Sequence, residues 1–116
     1  METTNRVHGD VVVVAATGRV DHKTAAEFER AVVPLLDPAT GARRGLLFDL
    51  EHVTYVSSVG LRVLMIASKS LRARGARVAV AAMQPVVAEI LEICRFSAVV
   101  EIFPTVDAAL EAMNAS

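Results

Sequence analysis

Leu50-Glu51-His52-Val53-Thr54-Tyr55-Val56-Ser57-Ser58-Val59-Gly60-Leu61-Arg62-Val63-Leu64 is the stretch on which the fold turns. Just before it, Gly45-Leu46-Leu47-Phe48-Asp49-Leu50 is apolar enough to read as a strand buried on both faces. After it, Leu61, Leu64, Ser68 and Leu71 recur at i, i+3, i+4 spacing, which places them on one face of a helix directed at a sheet. The helix is expected to start at a cap on Ser57 or Ser58, run to about Arg74 and stop at Gly75. Two adjacent hydroxyls therefore lie between a buried strand and the head of the longest helix. Free amides and the helix dipole make that position favourable for an anion. A phosphoryl group there would add about −2 charge and three acceptor oxygens. Paired serines at a helix start also serve simply as caps, so the motif alone leaves both roles open.

Towards the N-terminus, residues 1–6 are polar and expected to be loosely held, with Asn5 to Val7 as a short edge strand before a His8-Gly9-Asp10 turn. Val11-Val12-Val13-Val14 is β-branched and too apolar for a strand with one wet face. Gly18 to Lys23 reads as a loop, and Thr24-Ala-Ala-Glu27 matches a capping box at the start of a helix carrying Phe28, Ala31, Val32 and Leu35. Pro34 should end or kink that helix, and Asp37 to Gly41 is a loop by composition.

Towards the C-terminus, Arg77 to Ala81 reads as a third core strand. Pro85 opens a helix with Val86, Ile90, Leu91 and Ile93 as its apolar residues, and Cys94 beyond them reads as a small core residue. Val99 to Phe103 is a last short strand, and Thr105 caps a final helix through Met113. Strands alternating with helices point to an α/β or α+β layer. No linker or repeat divides residues 1–116, so one domain is expected, with its ordered core at about 5–113.

Composition excludes several functions. Twelve basic against 13 acidic residues, no Trp and one Tyr argue against a nucleic-acid surface, which needs a basic field and stacking rings. The longest apolar runs, Val11–Ala16 and Val78–Met83, fall well short of the roughly 18–20 residues of a membrane helix, so no direct membrane insertion is expected. The first residues lack the order of a signal peptide, and a lone Cys94 permits no intramolecular disulfide, which together suggest a cytoplasmic protein. His8, His22 and His52 have no metal-ligand spacing, and Asp21, Asp49 and Glu51 would serve as acid or base only if the fold gathered them. With no glycine-rich phosphate loop either, the expectation is a binding protein without catalytic residues, metal or cofactor.

The long segment quoted above resembles the signature of STAS domains, specifically of bacterial anti-sigma factor antagonists. In that family a strand ends in an aromatic and an aliphatic residue, followed by Asp-Ser-Ser-Gly-Leu at a helix head. Thr17-Gly-Arg-Val-Asp-His-Lys-Thr-Ala25 is similar to the family's Gly-x-Leu-Asp loop, and the order of elements fits over residues 5–113. The resemblance implies a STAS-like α/β domain: a small mixed β-sheet with helices packed mainly on one face. It also implies partner switching in transcription regulation. The unphosphorylated antagonist binds a kinase that doubles as an anti-sigma factor, phosphorylation of a serine ends that binding, and a phosphatase resets the cycle. By position Ser58 is the phosphoacceptor, with Ser57 as the alternative. Three departures stand out: Ser57 replaces an acidic residue, Val59 a small polar one and Arg62 a glycine.

Partner-binding candidates are then Asp21, Ser57, Ser58, and the helix face of Arg62, Met65, Ile66 and Lys69, whose basic and apolar mixture suits a docking site. The other reading of that face is burial of Met65 and Ile66 with Arg62 and Lys69 reaching outward. The competing functional reading is a STAS subunit that scaffolds another complex, such as a lipid-transport ATPase, without a phosphoswitch.

Overall fold

The computed structural model describes residues 1–39 and 41–115. Its elements, in chain order, are β1 (Thr3–His8), β2 (Val11–Ala16), β3 (Gly18–Val20), α1 (Ala25–Val32), β4 (Gly45–Asp49), β5 (Val53–Val56), α2 (Ser58–Arg72), β6 (Arg77–Ala81), α3 (Pro85–Ile93), β7 (Glu101–Phe103) and α4 (Val106–Asn114). Short 3-10 turns follow α1 at Val33–Leu36 and α3 at Phe96–Ala98. The main sheet has the order β1-β2-β4-β6-β7, with β1 antiparallel to β2 and every other pair parallel. A second sheet consists of β3 and β5 alone, side by side and parallel.

Strand alternation sorts the core into two halves. Val12, Val14, Leu46, Phe48, Val78 and Val80 face one way, where they meet Phe28 and Val32 of α1, Leu64 and Leu71 of α2, and Val87 and Leu91 of α3. Val11, Val13, Leu47, Ala79 and Ala81 face the other way and are covered by Ala109, Leu110 and Met113 of α4. Three helices on one face and one on the other explain why β2, β4 and β6 have no wet side, as expected of their continuous apolar runs. Leu61, Leu64, Ser68 and Leu71 are all buried, as their spacing requires. Pro34 lies in the 3-10 turn that ends α1.

Several expectations are corrected. Thr3 to Arg6 are not loose: they pair with Val13 to Ala16 as part of an edge strand that needs no buried side chains, because backbone bonds to β2 hold it. Gly18–Val20, read as loop, is a strand; its partner Val53–Val56 lies over thirty residues away, beyond any local signal. Thr24 stands at the start of α1 but makes no capping-box bond. Its hydroxyl instead donates to the Arg19 carbonyl at 2.7 Å and accepts from the Asp21 amide at 3.0 Å. On α3 the buried residues are Val87 and Leu91, whereas Val86 is 54% and Ile93 72% exposed. Cys94 follows the outward stripe and is exposed, not core. The last strand is shorter than expected, since Phe96–Ala98 forms a 3-10 turn and pairing begins at Glu101. Thr40, in the expected Asp37–Gly41 loop, lies outside the described residues.

Candidate functional site

The site is built where β3 and β5 end together. Val20 pairs with Val56 in parallel register, so Asp21 and Ser57 leave adjacent strands at the same end. The Ser57 amide donates to the Val20 carbonyl at 2.8 Å, and the Gly18 amide donates to the His52 carbonyl at 2.9 Å, closing the pair at both ends. Ser57 is the N-cap of α2: its extended backbone (φ −84°, ψ 173°) turns the chain, and its hydroxyl oxygen accepts from the Gly60 amide at 3.4 Å. Its carbonyl accepts the Leu61 amide at 2.9 Å as the first helical bond.

Ser58 is the first residue of the helix and is exposed, whereas Ser57 is half-buried. The two hydroxyls that sequence could not separate therefore have different surroundings. Ser57 spends its oxygen on the helix, and Ser58 presents its oxygen to solvent. Gly60 explains how α2 comes so near the strands. A Cβ on it would stand 2.7 Å from Cγ1 of Val20, 3.0 Å from Cγ1 of Val56 and 3.2 Å from the Val20 carbonyl oxygen. The absence of a side chain lets the first turn rest directly on β3 and β5.

Asp21 organises the turn beside the serines. One of its carboxylate oxygens accepts the Lys23 amide at 3.0 Å, the other meets Arg19 Nε at 3.4 Å, and its carbonyl accepts the amides of Thr24 and Ala25. The Lys23 bond, followed among the favourable causes by Arg19, holds its carboxyl below the usual aspartate value despite partial desolvation. The side chain keeps 19% of its surface in solvent. The Arg19 guanidinium stacks on Tyr55 with 4.4 Å between its central carbon and the ring centroid, tying β3 to β5 from outside. Neither Arg19 nor Tyr55 stood out in the sequence as a pair, because the β3–β5 register that juxtaposes them is non-local.

Along α2, Arg62 and Lys69 are exposed, while Met65 and Ile66 are half-buried and Met65 packs against the main core. The face is thus a basic rim over partly covered apolar side chains. Next to Arg62, a groove of about 250 Å³ separates α1 from α2, lined by His22, Ala26 and Glu29 on one side and Val59, Arg62 and Val63 on the other. Asp49 and Glu51 lie apart from this site: an Asp49 carboxylate oxygen accepts the Glu51 amide at 3.1 Å. His8, His22 and His52 are exposed on three separate segments. Among the described residues no helix is long and apolar enough to cross a membrane.

The comparisons with known proteins agree with this architecture. BtrV of Bordetella bronchiseptica, a protein assigned as an anti-sigma factor antagonist, is 29% identical over 112 residues, covering 97% of this chain and 93% of its own. The crystal structure of an anti-sigma factor antagonist from Mycobacterium paratuberculosis superposes with a TM-score of 0.86 at 27% identity, over 97% of this chain and 92% of that one. SpoIIAA of Bacillus, in its unphosphorylated form, shares the fold with a TM-score of 0.81 at 16% identity, over 99% and 98% of the two chains. The STAS domain model matches residues 2–109, almost the whole chain and every element that carries the site: the chain belongs to the STAS domain family.

Proposed function

We propose that this chain is an anti-sigma factor antagonist, a non-catalytic binding partner of a cytoplasmic kinase that doubles as an anti-sigma factor, and that phosphorylation of Ser58 switches it off. The observation that carries the reading is the division of labour at the head of α2. Ser57 caps the helix, and Ser58, one residue on, is exposed and makes no side-chain hydrogen bond among the described residues. The kinase transfers the γ-phosphoryl group of a nucleoside triphosphate to the Ser58 oxygen. The hydroxyl proton is lost to base or solvent, and the nucleoside diphosphate leaves. A phosphatase reverses the change by hydrolysing the phosphate ester.

In the free domain the phosphate sits in water at a helix N-terminus, where the dipole contributes roughly 0.3–1 kcal/mol, so the modified chain stays folded. In the complex the same dianion must lose water against the partner, and an unmatched buried charge costs several kcal/mol. Each 1.4 kcal/mol is about tenfold in affinity, so that difference suffices to dissociate a micromolar complex. Asp21, Ser57, Arg62 and Lys69 form the polar part of the docking surface, with Met65 and Ile66 as its apolar floor. Two relatives above 25% identity, both described as anti-sigma factor antagonists, support this partner class.

The test is phosphosite mapping by mass spectrometry after incubation with the cognate kinase, using wild type, Ser57→Ala and Ser58→Ala. Label at Ser58, lost only in Ser58→Ala, is the expected result. Label retained in Ser58→Ala but lost in Ser57→Ala moves the acceptor to Ser57. An unlabelled wild type with an active kinase replaces the switch by the scaffold reading.

A further inference from the structure

Ser58 and Arg62 are both exposed and stand four residues apart on α2, one turn from each other on the same face. Such positions have Cβ atoms about 5–6 Å apart, and an anion placed N-terminal to its cation is the favourable order on a helix. Arg62 forms no hydrogen bond or ion pair among the described residues, unlike Arg19, Arg44 and Arg77, which meet Asp21, Asp10 and Glu101. Its guanidinium is a planar fork of donors suited to phosphate oxygens. Resting on the phosphoswitch reading, we propose that Arg62 is the built-in counter-charge of a phosphate on Ser58, holding it against α2 in an intrahelical ion pair. The other titratable side chains that share the α1–α2 groove with Arg62 are those of His22 and Glu29. Glu29 lines the same groove but makes no ion pair with Arg62, so the guanidinium is free to meet a dianion one turn away on its own helix.

The consequence is regulatory. The pairing favours the dianion slightly further, and the docking surface loses a free cation at the same moment that it gains an anion. Phosphorylation therefore changes the face at two positions, Ser58 and Arg62, through one covalent event.

The experiment installs phosphoserine at position 58 of the full chain during translation, so it needs no kinase, and follows the phosphate resonance by phosphorus NMR as pH is varied. At low salt, Arg62→Ala raises the second phosphate pKa by roughly 0.2–0.4 unit, the size expected for one exposed i, i+4 pair. Arg62→Lys restores most of that shift, and 1 M salt removes most of the difference between wild type and Arg62→Ala, because the Debye length there is only about 3 Å. Equal values for wild type and Arg62→Ala at low salt overturn the proposal. A difference that survives 1 M salt unchanged overturns it as well, since it reports a structural effect and not a charge pair. Failure of the kinase to label Ser58 would defeat the phosphoswitch reading and leave this measurement intact.

Discussion

Replacing Gly60 by Ala tests the close approach that places Ser58. A methyl group on Gly60 meets the Val20 methyl at 2.7 Å and the Val56 methyl at 3.0 Å, both inside ordinary contact, and the Val20 carbonyl oxygen at 3.2 Å. Val20 and Val56 are buried at 1% and 3% exposure, so neither side chain has free space to swing into. The Val20 carbonyl accepts the Ser57 amide, so backing away from the new methyl stretches the bond that joins β3 to the start of α2. Overpacking of this kind costs about 1–3 kcal/mol, and the double contact puts it in the upper half of that range. Against it stands the helix preference of Ala over Gly, at most about 1 kcal/mol. The net expectation is a loss of about 1–2 kcal/mol, or a fall in thermal midpoint of roughly 4–8 °C for a domain of this size. Thermal unfolding followed by circular dichroism reads it directly. In the complex the displaced helix head should also weaken partner binding. A midpoint equal to or above that of wild type would refute the argument, since helix preference would then outweigh the contact.

Four further substitutions have outcomes that the structure sets. Ser68 is wholly buried and its hydroxyl donates to the Val99 carbonyl at 2.7 Å, so Ser68→Ala should cost about 1–3 kcal/mol in chemical denaturation by stranding that carbonyl. Asp21 has a folded-state pKa below 3.8, so its ionised form stabilises the fold at neutral pH, and that contribution disappears as pH falls below the unfolded value and through the lowered one. The midpoint gap between wild type and Asp21→Asn should therefore close on acidification below about pH 4; a gap of constant size down to about pH 2 would remove the ionic contribution. Met65→Glu should lower stability by about 1–2 kcal/mol because Met65 packs against the core, whereas Lys69→Glu, a charge reversal in the last turn of α2, should cost at most about 1 kcal/mol and slow partner association in a salt-dependent way. Surface plasmon resonance at two salt concentrations separates the last effect from a loss of fold.

The main sheet was legible because burial on both faces leaves a run such as Val11–Val14 with no polar alternate, and such a run is hard to mistake. The sheet-facing stripe of α2 was legible for the complementary reason: fifteen residues give a helical period room to declare itself. Shorter or non-local features were not. The three residues of β3 become a strand only because β5 supplies a partner from across α1 and β4. Thr24 has the spacing of a capping residue, yet the Arg19 carbonyl and Asp21 amide take its hydroxyl first, a competition that residue types alone do not resolve. On α3 nearly every position near Val87 and Leu91 is apolar, so periodicity could not choose the inward side, and Val86, Ile93 and Cys94 fell outward. At the site, Ser57 and Ser58 were both visible, but their roles depended on which one turned the chain.

That turn ties the fold to the proposed switch. Because β3 and β5 are parallel and end in register, they deliver Asp21 and Ser57 to one edge without either loop having to fold back. Because Gly60 lets α2 rest on those strands, the helix head is held by Val20 and Val56 on its inner side, while Ser58 and Val59 are exposed. A group added to the exposed Ser58 therefore starts on the solvent side of the helix head. The proposed phosphoswitch would then act wholly on the surface, changing what a partner meets while the core stays as it was. The same rigidity predicts that weakening the Arg19–Tyr55 stack, for instance by Tyr55→Ala, damages docking by letting Asp21 and Ser58 drift relative to each other. The contrast to look for is binding: it should fall more than stability does, as expected when a contact serves to position a site more than to hold a core.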